Sequence, residues 1–89
     1  VSRLEKDLES DITDFAEVRG WWSTKYVAPA RRGVPDRIFI RRGRTVFIEV
    51  KKLDEEAKIQ QERVHREMRA HGAEVHVVDN IEDARRILR

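Results

Sequence analysis

The chain has 89 residues, of which 40% are Asp, Glu, Lys or Arg, with no cysteine and a formal net charge of +2. That length makes one domain over residues 1–89, burying only about 60–65% of the surface its unfolded form exposes, so the core is small and a partner subunit would help it. The absence of cysteine excludes disulfide staples and thiol nucleophiles and fits a reducing cytoplasm. The longest apolar runs are triplets such as Val46-Phe47-Ile48, too short for a membrane span, and no signal-peptide core is present, so a soluble cytoplasmic protein is expected.

Leu4, Leu8, Ile12 and Phe15 recur at helical spacing and predict an amphipathic helix over residues 3–19, opened by a Ser2/Glu5 capping box and closed by Gly20. Residues 21–27 read as a strand; neighbours on a strand face opposite ways, so one of Trp21 and Trp22 is core and the other is exposed to stack on bases. A loop over 28–33 carries Pro29, Arg31, Arg32 and Gly33. Strands over 36–41 and 45–52 form a hairpin around Arg42, Gly43 and Arg44. Asp54 caps a second helix running to about His71, with Gly72 at its end. Residues 75–79 give a last strand, and Asn80 starts a short helix bearing Ile81, Ala84, Ile87 and Leu88. The order is α-β-β-β-α-β-α, an α/β chain.

Charge is distributed unevenly along this framework. Between Arg31 and Lys52 eight basic residues (Arg31, Arg32, Arg37, Arg41, Arg42, Arg44, Lys51, Lys52) face only Asp36 and Glu49, whereas Val1 to Gly20 holds six acids against three bases. A local basic patch of this kind suits a polyanion such as nucleic acid. For any one of these arginines, solvating and protecting a hairpin edge is the simpler reading.

The two acids inside the patch carry the chemistry. On the second hairpin strand Val46, Ile48 and Val50 share the core face, leaving Phe47, Glu49 and Lys51 on the other, so Glu49 and Lys51 lie side by side. Asp36, fixed by Pro35, opens the opposing strand and brings a second carboxylate within reach. Two close carboxylates stay ionised together only beside a cation, and a hard, oxygen-seeking Mg2+, or Mn2+ in its place, fits them. Such a site, with Lys51 steadying a nucleophilic water, supports phosphodiester hydrolysis; an edge-strand salt bridge without metal is the simpler alternative.

On the second helix Gln61 falls on the stripe of Ala57, Val64 and Met68, so its amide points inward, either into a packing network or toward Lys51. His65, His71 and His76 lack the i,i+4 spacing of a helical metal pair, and with no cysteine a zinc site is not expected; all three are placed at the surface.

Gly33-Val34-Pro35-Asp36-Arg37-Ile38, Phe47-Ile48-Glu49-Val50-Lys51, and Gln61 eleven residues before Gly72 resemble the VRR-NUC family of the PD-(D/E)XK nuclease superfamily, in its small stand-alone phage or bacterial form. The resemblance covers nearly the whole chain, including Lys25 ahead of the arginine loop. It implies a restriction-endonuclease-like core, a mixed four-stranded sheet flanked by helices. It further implies that Asp36, Glu49 and the Val50 carbonyl are metal ligands, that Lys51 is the catalytic lysine, and that Gln61 is the helical glutamine of the motif. A first-helix glutamate is also implied; Glu5 and Glu9 compete, and Glu9 is preferred because Glu5 is engaged in the capping box.

The expected function is therefore a Mg2+-dependent endonuclease with Asp36, Glu49 and Glu9 around the metal and Lys51 at the nucleophile. Lys25, Arg31, Arg32, Arg37, Arg41, Arg42, Arg44 and Lys52 are the expected DNA-binding residues. The resemblance extends this to branched DNA, a four-way junction cut by a homodimer. A DNA-binding module that does not cut, or a phage interaction protein on the same scaffold, are the alternatives.

Overall fold

A computed structural model of the chain describes residues 5–51 and 59–89. Its elements are α1 (Glu5–Val18), β1 (Trp22–Lys25), β2 (Arg37–Arg41), β3 (Arg44–Val50), α2 (Ile59–Ala70), β4 (Glu74–Val78) and α3 (Ile81–Ile87). The order matches the expected one, with strand ends shifted by one or two residues. The Ser2/Glu5 capping box and the Asp54 cap involve side chains outside those described, as does Ala57.

The sheet runs β1-β2-β3-β4, with β1, β2 and β3 antiparallel and β4 parallel to β3. The parallel step is made by α2, the crossover that a parallel pair requires. Arg42 and Gly43 both adopt positive φ, 50° and 81°, and Arg41 pairs with Arg44. The β2–β3 turn is thus a two-residue one whose twist matches the flanking strands, and glycine supplies the second left-handed position.

One face of the sheet carries Phe39, Val46, Ile48, Val50 and Val78, all 1% exposed or less, and α1 and α3 cover it with Leu8, Ile12, Ala16, Ala84 and Leu88. Each fully buried large side chain contributes roughly 1.5–3 kcal/mol, so this single layer is the main source of stability in so short a chain. Alternation places Ile38, Phe47 and Glu49 on the opposite face, beneath α2. There β3 differs from an ordinary half-solvated strand, because Glu49 and Lys51 are buried as well.

The two chain-reversing ends of α1 and α3 meet at the hairpin tip. At Gly20 (φ 84°) the Gly20 amide donates to the Glu17 carbonyl and the Trp21 amide to the Ala16 carbonyl, the paired bonds that close a helix C-terminus and fold the next residue back. That next residue is Trp21, 3% exposed, whose indole N–H donates to the Leu88 carbonyl at 3.0 Å. Arg41 lies over the indole, 4.4 Å from its centroid, and donates to the Arg19 and Arg89 carbonyls. Arg44 reaches the Ile87 carbonyl at 2.9 Å and forks onto both oxygens of Glu74 at 2.9 and 2.7 Å. Two guanidinium groups therefore satisfy carbonyls at the negative ends of two helices. Trp22, next in sequence, is 59% exposed, as alternation requires.

The Arg44 fork, helped by His76 and working against burial, holds the Glu74 carboxyl down at about 2, against an ordinary 4.5. A carboxyl with a lowered folded-state pKa stabilises the fold above its unfolded value and loses that contribution as protons bind. Stability should accordingly decline as pH falls from about 4.5 to about 2. Replacing Arg44 with Met should flatten that decline in thermal melts across the range. The effect should be about 1 kcal/mol or less, because the pair is partly solvated.

Candidate active site

The β2–β3 register places the catalytic candidates. Arg37 pairs with Ile48 and Phe39 with Val46, so continuing the ladder by one residue sets Asp36 directly opposite Glu49. Opposed residues share a face, and the two carboxylates therefore project to the same side of the sheet. Asp36 is held from both sides: Pro35 is fully buried, and the Asp36 carbonyl accepts the Tyr26 amide at 2.7 Å. Asp36 Oδ1 is buried without a hydrogen-bond partner. Burial first, and then the negative charge of Glu9, raise the Asp36 carboxyl above its ordinary pKa, against the pull of Lys25 and Arg37.

Glu49 and Lys51 are 6% and 5% exposed, with Lys51 Nζ 3.6 Å from Glu49 Oε2. The Lys51 amide continues the parallel ladder by donating to Val78 at 2.8 Å, which fixes the backbone under the lysine. Desolvating an ion pair costs about as much as the attraction returns, so the pair adds little to stability. Its burial makes better sense as a means of keeping a charge unscreened for chemistry. Val50 lies between them in sequence, its side chain turned into the core.

Glu9 enters from α1 next to Leu8 and one turn before Ile12. Its carboxylate accepts Arg37 Nε at 2.7 Å and lies 3.9 Å from Lys25 Nζ. Of the two competing helix acids, Glu9 is thus the one seen at the Asp36 end of the sheet; the Glu5 side chain lies outside the described residues. Among the described residues no three acidic, histidine or cysteine side chains converge as a ready-made metal cage. Mg2+ does not demand one, since it commonly binds through one or two carboxylates, waters and a substrate phosphate. The unpartnered buried Oδ1 of Asp36, with the Glu9 carboxylate acting on it, fits such a cation.

The loop before Asp36 is pressed against α2. Gly33 has φ 89°, and a Cβ there would stand 2.9 Å from the Gln60 carbonyl oxygen and 3.2 Å from Gln61 Cα. Gln61 is half-buried at this contact. His65, one turn further along α2, corrects the expectation of three surface histidines: it is 1% exposed. His71 is exposed, and His76 is half-buried against Glu74. Spacing held the signal, because Gln61, Val64, His65 and Met68 fall on one helical face and a histidine on that face is buried with it.

The basic patch divides in two. Lys25, Arg31, Arg32 and Arg42 are exposed, whereas Arg37, Arg41 and Arg44 are bonded to Glu9, to helix-end carbonyls and to Glu74. For those three, the high local charge reflects internal fastening more than a free cationic surface. Lys52 lies outside the described residues. A groove of about 510 Å³ lined by Tyr26, Arg31, Val34, Ile38, Phe47 and Met68 runs beside the loop.

Comparison with known proteins agrees with this geometry. No family model matches the chain. A phage protein named "Putative nuclease p44", from Acyrthosiphon pisum secondary endosymbiont phage 1, is 35% identical over 78 residues, covering 86% of this chain and 80% of the relative. A solved VRR_NUC domain superposes with a TM-score of 0.73 at 28% identity, covering 89% of this chain and 91% of that one. A four-stranded mixed sheet flanked by helices defines the class. The chain belongs to the VRR-NUC family.

Gly20 and Gly33 are both left-handed, but only Gly33 is crowded. Gly20→Ala should cost about 1 kcal/mol, the backbone penalty alone. Gly33→Ala should cost about 3 kcal/mol, because the methyl group also meets α2 backbone. Chemical denaturation of the two variants checks the ranking.

Proposed function

We propose that the chain is a metal-dependent endonuclease that hydrolyses DNA phosphodiesters. The observation that carries this reading is Lys51 buried 3.6 Å from the Glu49 carboxylate, on the strand whose register with β2, continued by one residue, would bring Asp36 opposite Glu49. Asp36 Oδ1 and the Glu49 carboxylate are the groups that would hold Mg2+ or Mn2+, with the Val50 carbonyl as a further ligand by family resemblance. When bound, the ion neutralises phosphate oxygens and acidifies a water. Lys51 Nζ is placed to donate to that water's oxygen and to the charge that develops on the phosphate, and its burial leaves it little screened. Glu9 would join the ligands by giving up its bond to Arg37. Gln61 would orient Lys51 or the water, by family resemblance.

Lys25, Arg31, Arg32 and Arg42 are the exposed cations proposed to grip flanking phosphates. The substrate proposed is branched DNA, a four-way junction cut by a homodimer, within the cytoplasm of a bacterial or phage-infected cell. Two points support this extension: the small core of a chain this short gains from a partner, and a four-armed substrate needs two cuts.

The test is incubation with labelled linear, flap and four-way DNA in Mg2+, Mn2+ or EDTA. Cleavage should require the cation and should fall at least about 100-fold in Asp36→Ala, Glu49→Gln and Lys51→Ala while DNA binding persists. Binding without cation-dependent cleavage would instead identify a DNA-binding module.

A further inference from the structure

We propose that the apolar groove beside the acids is a nucleobase site, which takes the base of one unpaired DNA nucleotide and so selects where the strand is cut. The inference rests on the nuclease reading above and adds to it a subsite that reads the base and not the phosphate. At about 510 Å³ the groove is of a size that holds a small organic ligand. Ile38 and Phe47 form its floor on the sheet, Val64 and Met68 line it from α2, and Tyr26 closes it on the loop side. Ile38 and Phe47 are only half-buried and Tyr26 is 41% exposed, whereas Phe39, Val46, Ile48 and Val50 on the core face of the same strands are 1% exposed or less. Large apolar side chains left open together in this way mark a surface made for a partner.

Register and charge identify that partner. Ile38 pairs with Phe47, and Glu49 follows Phe47 by two residues on the same strand and the same face. The groove floor therefore ends about 7 Å from Glu49 along the strand, comparable to the reach from a nucleobase to its own phosphate. A base seated on Phe47 brings its phosphodiester to the acids. Tyr26 and Phe47 offer the π faces on which any base stacks. Arg31 is the one charged side chain among the described residues lining the groove, and it is exposed next to Arg32. A cation at the mouth of an apolar slot complements a base carried on an anionic chain, and gives nothing to an apolar peptide or to a second apolar face. A paired base is stacked inside its duplex and does not enter, so the groove selects unpaired nucleotides such as those at a branch. Trp22, also exposed, belongs to the row of Ile40 and Thr45. That row lies two pleat repeats, or about 14 Å, from Glu49, too far for the base of the nucleotide being cut.

The test is binding in EDTA, where no cleavage is needed, to a DNA duplex with one unpaired nucleotide and to the same duplex with an abasic residue at that position. The unsubstituted protein should bind the abasic duplex about 10-fold more weakly. Tyr26→Ala keeps the backbone amide that bonds the Asp36 carbonyl. It should lose about 10-fold on the duplex that has the base and almost nothing on the abasic one, while Tyr26→Phe should keep the preference. Arg31→Gln should weaken binding of both duplexes alike. Equal affinity of the unsubstituted protein for the two duplexes, or an unchanged preference in Tyr26→Ala, would overturn the proposal. An unchanged preference together with loss of a dimer in sedimentation would overturn it in favour of a second copy seated in the groove. Photocrosslinking of the unsubstituted protein to iodouracil at the unpaired position does not depend on any variant folding. Attachment to Tyr26 or Phe47 is expected, and attachment to Trp22 alone would overturn the site. Preference for the base without cation-dependent cleavage would support the groove and count against the nuclease reading, whereas cleavage without that preference would do the reverse.

Discussion

The pairing register of β2 with β3 is the constraint on which the site depends. Side chains alternate along a strand, so a slip of one residue would send Asp36 to the face opposite Glu49 and turn Phe39 out of the core. Two things hold the register. The Arg42–Gly43 turn admits only a two-residue connection, and Phe39, paired with Val46, is fully buried between the sheet and its covering helices. The carboxylate pair is thus a by-product of hydrophobic packing two turns of the pleat away, and the core specifies the chemistry as surely as it does the fold.

Around that register the molecule separates two kinds of charge. Arginines at the hairpin tip and at the start of β2 are spent on carbonyls and carboxylates of the protein itself, where planar multiple donors satisfy several acceptors at once. The ions at the other end are left less complete: Asp36 keeps a buried oxygen without a partner, and Glu9 presses its carboxyl toward protonation. A fold optimised only for stability would remove such features.

Much of this was legible in the sequence because it is local. Apolar spacing in α1, Gly20 at its end, the Asn80 cap and the alternation of Val46, Ile48 and Val50 each reflect a rule acting within a few residues, and each element forms where the pattern puts it. The same alternation buries Val46, Ile48 and Val50 on one face. What was missed depends on tertiary partners. The roles of Arg41 and Arg44 are set by helix ends that are far away in sequence, and a charge count cannot distinguish a clasp from a free cation. His65 shares the buried face of α2 with Val64, and that face is covered by the Gly33 loop, a tertiary partner that helical spacing alone does not supply.

The hairpin spans from the tip, anchored among the carbonyls of Ile87, Leu88 and Arg89, to the acids, five residues along the strand from Arg41 to Asp36, or about 17 Å at the rise of an extended chain. It works as a strut fixed at both ends: at the tip by those carbonyls, and at the acids by the Tyr26 amide on the Asp36 carbonyl and the Lys51 amide on the Val78 carbonyl.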